Sequence, residues 1–346
     1  MDIREPRPAP GDERIADAEP DPPPDPELDS PGPEDLDTGV LEERRVPGAI
    51  PKVEPRTTEE LPSEAPSRQR YPVKIRRSLA ELWRSRELLT GLVERDLRVR
   101  YKQAILGVFW AVLNPLLTMV LFTLVFGHIA KVAPNLNVPY PVFAYAALVP
   151  WSLFQSATNY SVNAIIANAP IVRKIYCPRE VFPIAAVASS FADFLISFVI
   201  LFGMIFAFEQ TRQPHLAWLA VIPLLAVMTI LMLALAMFFS GAIAYFRDVR
   251  YIVPSVLQAL LFLTPIAYPL SKITHLSLFQ DHPLLVKAYV YLNPLVPIMD
   301  GFRRALVFGQ WPMWGPLASA AIISTVALVF AYWWYKRIDG YLADVI

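Results

Sequence analysis

The sequence predicts an all-α membrane protein with six transmembrane helices, and three observations lead to that prediction. Between Gly107 and Tyr335 the chain consists mostly of long apolar runs with almost no charge. Tracts such as 103–130 and 305–335 exceed the roughly 20 apolar residues that a helix needs to cross a bilayer core about 30 Å thick. The short stretches that carry Arg and Lys between the runs fall on alternating sides. The function is therefore expected in transport, signalling or membrane enzymology.

Residues 1–70 have a different composition from the rest of the chain. They contain 19 acidic and 9 basic residues, whereas the remainder contains 12 acidic and 22 basic ones. They also hold 15 of the 34 prolines and no Phe, Tyr or Trp. Such a segment buries too little apolar surface to offset the entropy of ordering, so we expect a disordered acidic tail. It would serve as a solvated tether or as a regulatory, partner-binding arm, and it lacks the pattern of a secretory signal.

Residues 71–103 are basic and are interrupted by leucines at helical spacing, from Leu79 to Leu97. This pattern is typical of an amphipathic helix that lies along a membrane face with its cations in the headgroup region. The six-span domain is expected over 104–340. Its predicted spans are 104–130, 142–166, 181–208, 216–245, 251–270 and 315–335.

Basic residues that flank the spans predict their orientation. Sixteen fall on one side, among them the nine between Lys74 and Lys102, and six fall on the other side, including Arg303 and Arg304. Since cytoplasmic loops carry the excess of Lys and Arg, both termini should be cytoplasmic.

Prolines are expected inside the first, second and fifth spans, at Pro115, Pro150, Pro254 and Pro265. A break in a membrane helix persists only where the freed carbonyls find partners or face water, so these helices either line a path or are shaped for packing. Residues 271–314 should form a re-entrant outer segment. Within it, the 297–308 pattern places Ile298, Phe302, Ala305 and Leu306 on one helical face and Asp300, Arg303 and Arg304 largely elsewhere.

Several classes of chemistry find little support in the residues. The single cysteine and four scattered histidines do not suggest a disulfide, a metal centre or metal catalysis. No GxxxxGK[ST] phosphate loop occurs, so the chain is not expected to bind ATP in that way. Asp193 is the one ionisable residue deep in a span, which leaves an ion-coupled carrier poorly equipped. It either belongs to a polar cluster with nearby serines, Ser189, Ser190 and Ser197, or faces a translocation path.

Four segments together carry a resemblance to a known family. They are residues 95–117 (RDLRVRYKQAILGVFWAVLNPLL), 168–180 (NAPIVRKIYCPRE), 244–251 (AYFRDVRY) and 291–297 (YLNPLVP). In this order they resemble the permease subunit of the ABC-2 polysaccharide exporters, which move O-antigen, capsule, teichoic acid and related glycans. The resemblance covers about 75–340.

The resemblance implies a bacterial inner-membrane permease that is not itself an enzyme. It would form a homodimer and be driven by two copies of a separate subunit that binds ATP and Mg²⁺, with no cofactor of its own and no nucleic-acid partner. The cargo would be a polysaccharide on a polyprenyl diphosphate lipid. The 168–180 insert would be the segment that couples to the ATPase, although Cys177 stands where relatives commonly carry an aromatic residue. The implied coupling residues are Asn168, Ala169, Pro170, Arg173, Lys174, Tyr176, Pro178, Arg179 and Glu180.

A glycan path needs hydrogen-bonding groups or water, because a buried unpaired hydroxyl costs roughly 2–7 kcal/mol, and aromatic rings can cover the apolar faces of sugars. The candidate aromatic residues are Phe109, Trp110, Phe122, Phe126, Tyr251, Phe262 and Tyr268, which could instead serve packing or an interfacial belt. The basic residues of the interface helix, Arg95, Arg98, Arg100 and Lys102, would hold the diphosphate, or anchor the helix to anionic lipid and touch the ATPase.

Three alternatives remain open on sequence grounds. An ABC-2 permease for a drug or small lipid would share the topology and respond to small hydrophobic compounds. A membrane glycosyltransferase or acyltransferase would need carboxylates or histidines clustered at one membrane face. A channel would conduct without any nucleotide.

Overall fold

A computed structural model describes residues 82–102, 109–130, 138–174, 177–208, 215–274 and 282–345, and every regular element in these ranges is a helix. The predicted all-α class is confirmed, while the predicted tail 1–70 lies outside the described residues. A π-helical turn, Thr123–Ile129, continues α2, and a 3-10 turn, Leu216–Ala220, precedes α7. The helices are α1 Arg86–Lys102, α2 Phe109–Phe122, α3 Tyr140–Val162, α4 Ala164–Ala167, α5 Ala169–Lys174, α6 Val181–Ala207, α7 Val221–Ala242, α8 Val249–Leu263, α9 Leu270–Thr274, α10 Pro283–Leu292, α11 Leu295–Leu306 and α12 Trp314–Val345.

Four of the described helical segments are long and apolar enough to cross a membrane. They are Val112–Ile129, Val181–Ala207, Leu216–Ala242 and Trp314–Asp339, which coincide with the first, third, fourth and sixth predicted spans. The protein is therefore an integral membrane protein. The helix at the fifth predicted span, α8, has only 15 residues, so it rises about 22 Å against a core of about 30 Å.

The second predicted span corresponds to α3, a helix of 23 residues at the centre of the fold. It packs against α2, α6, α7, α8 and α11, and most of its residues are buried. Ser152, Gln155 and Asn159 make it less apolar than the four segments above. A helix enclosed by protein can carry such groups because its neighbours, not lipid, surround them.

Helix α1 packs lengthwise against α6. Leu92 shares a buried cluster with Val181 and Phe182 at the start of α6, and Arg100 reaches Asp193, twelve residues further along the same helix. The two helices therefore run side by side. A helix is present over most of the predicted 71–103 segment, whose residues before 82 lie outside the described ranges.

The prolines have different roles from one another. Pro115, Pro150 and Pro254 lie inside α2, α3 and α8, as the sequence predicts. Pro265 does not, because α8 ends at Leu263 and Thr264 is extended. Proline disfavours the helical conformation of the residue before it, which explains why the helix stops there. We refer to residues 264–269 as the α8 break.

Arg303 on α11 fills the space beside the α8 break. Its guanidinium donates to the carbonyl oxygens of Pro265 (3.1 Å), Ile266 (2.7 Å) and Tyr268 (3.4 Å), and to that of Phe143 on α3 (3.2 Å). It also lies over the Phe143 ring, 3.7 Å from the centroid. The carbonyls freed by the missing helical turn thus find donors, as buried backbone carbonyls require.

This placement corrects two predictions about Arg303. The sequence pattern put it away from the apolar face of α11 and counted it among the loop charges that set orientation, yet only 1% of the residue is exposed. The pattern failed because α11 is buried on nearly all sides. Asp300 is also buried, and its Oδ2 atom lies 2.5 Å from Nε of Arg304. The hydrogen bonds of Arg303 go to backbone carbonyls instead.

Helices α7 and α12 approach each other closely. A Cβ at Gly241 would lie 2.9 Å from the indole of Trp334, so only glycine fits there without displacement of the ring. The ring of Phe238, also on α7, lies at a tilt with its centroid 4.8 Å from that of the same indole. This end of α12 is therefore packed closely against α7.

Candidate functional site

A cavity of about 420 Å³ lies between α1, α2, α3, α6 and α8. The polar part of its wall consists of amides, hydroxyls and one pair of opposite charges, and the aromatic part of indole, phenyl and phenol rings. The uncharged polar residues are Asn114, Thr118, Ser152, Gln155, Ser156 and Gln258, and the charged ones are Arg100 and Asp193. The aromatic ones are Tyr101, Trp110, Phe122, Trp151, Tyr160 and Phe262.

These polar and aromatic groups determine which kind of ligand the cavity can accept. Amide and hydroxyl side chains both donate and accept hydrogen bonds, so they can satisfy the hydroxyls of a ligand that a purely apolar wall would strip of water. Flat aromatic faces offer apolar contact at the same place. The cavity can therefore accept an amphipathic, hydroxyl-rich molecule.

Arg100, at the end of α1, closes one part of the cavity wall through an ion pair. Its Nη1 atom lies 2.6 Å from Oδ2 of Asp193 on α6, and the Tyr101 hydroxyl donates to the other carboxylate oxygen. The guanidinium also lies 4.0 Å from the centroid of the Tyr160 ring on α3. The pair is largely sequestered, with 20% and 18% of the two side chains exposed. Burial and the bond to Asp193 raise the pKa of Tyr101, so this hydroxyl remains a donor.

The partner of Asp193 thus differs from the one that the sequence suggested. Ser189 and Ser190 bond to the Ala186 carbonyl within α6, and Ser189 is otherwise 3.5 Å from Arg100. These two serine hydroxyls therefore bond to the helix backbone and not to the carboxylate. Arg100, 93 residues away in sequence, bonds to the carboxylate, and no local spacing could have indicated that contact.

The seven aromatic residues predicted for a glycan path differ in their surroundings: some lie at the cavity, some are exposed outside it, and one has a structural contact. Trp110, Phe122 and Phe262 line the cavity, and Phe126 packs on Phe122 with the ring centroids 5.3 Å apart. Phe109 and Tyr251 are exposed outside the cavity lining, at 52% and 69%.

The seventh, Tyr268, has a structural contact. Its hydroxyl donates to the Phe262 carbonyl at 2.6 Å, beside the α8 break. The Tyr140 and Tyr289 hydroxyls bond to the carbonyls of Ala267 and Leu263 in the same region.

The predicted basic residues of α1 also differ in their surroundings. Arg95 bonds to its neighbour Asp96 at 2.6 Å, Arg98 pairs with Glu94 on an exposed face, and Lys102 is exposed. Only Arg100 of the four lines the cavity. The other three are placed for contact with the surroundings of the protein.

The 168–180 insert forms a short helix, α5, and an irregular connection to α6. Asn168 is buried and bonds through its amide to the Ala164 carbonyl at 2.7 Å. Pro170, Arg173 and Lys174 are exposed, and Ala169 is partly so. Tyr176 lies outside the described residues.

The last part of the insert is fastened to α12. Arg179 Nη1 lies 3.0 Å from Oδ1 of Asp339, and the Tyr335 hydroxyl donates to the Arg179 carbonyl at 3.1 Å. Glu180 pairs with Lys336 and is fully buried. In this structure the Glu180 carboxylate faces the interior and Lys336, whereas Arg173 and Lys174 face outward.

Cys177 and Pro178 lie between the exposed and the fastened parts of the insert, and both are half-buried. Burial raises the pKa of the Cys177 thiol, which the nearby Arg179 opposes. A thiol in this state is a packing residue and a weak nucleophile at neutral pH.

The fold and the cavity define a helical membrane protein that encloses a polar and aromatic space, exposes two cations on a short insert and contains no phosphate loop. The chain belongs to the ABC-2 type transporter family, whose sequence model matches residues 87–307. That match includes the cavity and the insert. ATP hydrolysis in such a system takes place on a separate subunit, so this chain is a transport permease and not an enzyme.

Curated relatives match over most of their own length. An O-antigen export system permease protein from Myxococcus xanthus is 30% identical over 73% of this chain and 92% of its own. A protein of the same description from Klebsiella pneumoniae is 33% identical over 68% of this chain and 85% of its own. A polysialic acid transport protein from Escherichia coli is 26% identical over 63% and 81%.

Proposed function

We propose that the chain is the permease subunit of an ATP-driven exporter for a lipid-linked, O-antigen-like polysaccharide in the bacterial inner membrane. The observation that carries this proposal is the cavity, whose amides, hydroxyls and aromatic rings suit a sugar chain, in a member of the ABC-2 family. The names of the relatives support the cargo class.

In this proposal six helices span the membrane with both termini cytoplasmic. The central helix α3 and the short α8 join the four apolar segments as the second and fifth spans. The α8 break ends the fifth span inside the membrane, and α9 to α11 form the re-entrant outer segment. The backbone carbonyls at the end of α8 and in the α8 break are compatible with a position inside the membrane, because Arg303, Tyr140 and Tyr289 donate hydrogen bonds to them.

Two copies of the chain form the complete conduit. Helices α2 and α8 carry large apolar side chains on their outer faces, where a partner subunit or lipid must cover them. These residues include Leu117 and Val120 on α2, Leu124 in the π-helical turn that continues it, and Ile252, Val256 and Leu263 on α8. Because the cavity lies between the same two helices, a homodimer across them would enlarge it into a path.

The exposed part of the insert docks on the ATP-binding subunit, with Arg173 and Lys174 as the polar contacts. ATP and Mg²⁺ bind to that subunit. Closure of its two copies moves the insert and shifts the permease between two arrangements. Arg95, Arg98 and Lys102 anchor α1 to anionic headgroups, since they lie on its exposed side.

A pull-down with the co-expressed ATP-binding subunit tests the docking surface. Reversal of charge in Arg173→Glu/Lys174→Glu should abolish recovery of the complex, because both side chains are exposed. The matched control is Arg247→Glu/Arg250→Glu, which reverses two exposed cations next to α8. Equal recovery of the two double variants would refute the docking assignment.

An export assay tests the cargo. Trp110→Ala and Phe262→Ala remove rings from the cavity and should lower polysaccharide export, with the exposed Phe109→Ala as control. Removal of one stacking ring costs about 0.5–1.5 kcal/mol, which corresponds to a rate reduced about two- to twelvefold. Stimulation of the ATPase by small hydrophobic compounds, with normal surface polysaccharide, would instead identify a drug or small-lipid permease.

A further inference from the structure

The last two residues of the 168–180 insert, Arg179 and Glu180, contact α12. The Arg179 and Glu180 side chains and the Arg179 carbonyl meet Asp339, Lys336 and Tyr335, which occupy one turn of α12. We call this set of contacts the insert–α12 junction. It joins residues about 156 positions apart. The α12 side of the junction lies beyond residue 307, where the family match ends.

The Glu180–Lys336 pair of the junction is buried, which distinguishes it from an ordinary surface ion pair, whereas Arg179 and Asp339 have 19% and 32% of their side chains exposed. Glu180 and Tyr335 are both 0% exposed, and the Lys336 side chain is 16% exposed. A surface pair contributes little because water competes for each charge, but a buried charge that loses its partner is left uncompensated. The two sides of the junction therefore resist separation and should move together.

Beyond the junction, α12 is held against the membrane helices. The indole of Trp334 fits over Gly241 of α7, where an added Cβ would lie at 2.9 Å. Displacement of the Tyr335–Asp339 turn must therefore shift α7 as well as α12. The covalent chain alone would transmit motion of the insert only to α4 and α6.

We propose that the insert–α12 junction transmits movement of the insert to α12 and α7, with Lys336 and Asp339 as positioning residues for transport. The inference rests on the proposed docking of the insert on an ATP-binding subunit. It adds a second route into the membrane domain, through a helix distant in sequence. Neither residue lines the cavity between α1, α2, α3, α6 and α8, but both line a separate pocket together with Arg173 and Lys174 of the insert.

The test uses the full-length permease co-expressed with its ATP-binding subunit. Glu180→Gln/Lys336→Met neutralises both partners together, so that no buried charge is stranded. Glu180→Lys/Lys336→Glu reverses the pair and preserves the link. Arg337→Met is the matched control, because it removes one cation at the neighbouring, exposed position of the same helix.

Three quantities are measured for each variant: recovery of the complex, its ATPase rate in proteoliposomes, and polysaccharide export in cells. For the neutral pair we expect normal recovery and ATPase rate with export reduced about tenfold, the upper part of the range for residues that carry coupling. The reversed pair should restore export, and Arg337→Met should leave it unchanged.

Export at the wild-type level in the neutral pair would overturn the inference. So would parallel loss of recovery, ATPase and export, which would indicate a purely structural role. Failure of the proposed function has a different signature: the wild-type chain would then neither recover an ATP-binding subunit nor support export, and Arg173→Glu/Lys174→Glu would change nothing.

Discussion

Replacement of Arg303 by methionine should destabilise the protein strongly, although the two side chains have similar length and the Phe143 ring lies against one face of the guanidinium. Three carbonyl oxygens at the α8 break lose their donor, those of Pro265, Ile266 and Tyr268. The Phe143 carbonyl lies inside α3 and keeps its intrahelical bond. Each orphaned carbonyl costs about 1–3 kcal/mol, for a gross loss of about 3–9 kcal/mol. The methionine variant no longer has to bury a charged guanidinium, and this offsets several kcal/mol of the loss. We expect a net loss of about 3–5 kcal/mol.

Thermal unfolding of the detergent-solubilised protein measures the effect. For a chain of this size a loss of 3–5 kcal/mol lowers the apparent midpoint by about 6–20 °C. The midpoint of Arg303→Lys should fall between those of the wild-type protein and Arg303→Met. An ammonium keeps the charge but lacks the planar fork that reaches several carbonyls at once. Lys272→Met removes an exposed cation from the adjacent α9 and serves as control. A midpoint for Arg303→Met within about 2 °C of that control would refute the reasoning.

Two further predictions concern Asp193 and Cys177. Arg100→Leu and Asp193→Leu should each lower the melting midpoint, whereas the double variant should lose less than their sum, with a coupling free energy of about 0.5–3 kcal/mol; additive losses would mean that the ion pair contributes nothing. Cys177 should react slowly with N-ethylmaleimide at pH 7 and rapidly after denaturation in SDS, since burial raises its pKa and reduces the thiolate fraction. Intact mass reports this site alone because the chain has one cysteine, and equal rates in both states would contradict the assignment.

Local patterns in the sequence predicted much of the helical framework. Apolar runs located the membrane helices because the requirement for about 20 apolar residues acts on each segment separately. The prediction of prolines inside helices was correct for Pro115, Pro150 and Pro254. It was wrong for Pro265, because whether a membrane helix continues past proline depends on whether another element supplies donors to the freed carbonyls. Here that element is α11, which lies some 38 residues later.

The candidate site was predicted less completely, for a related reason. Composition identified Trp110, Phe122 and Phe262 as suitable for sugar contact, but it gave the same weight to Phe109 and Tyr251, which lie outside the cavity lining. Arg100 and Asp193 were each singled out, yet as members of separate groups. Charge pairs between distant helices depend on packing in three dimensions, so no spacing along one helix can reveal them.

The length of α12 gives the junction a mechanical property. Its 32 residues extend about 48 Å, well beyond a hydrocarbon thickness of about 30 Å. The helix is therefore longer than the hydrocarbon core is thick. Pivoting by about 10° around one tip moves the opposite tip by about 8 Å, so a small change of tilt at the junction would be a large displacement at the far end of α12.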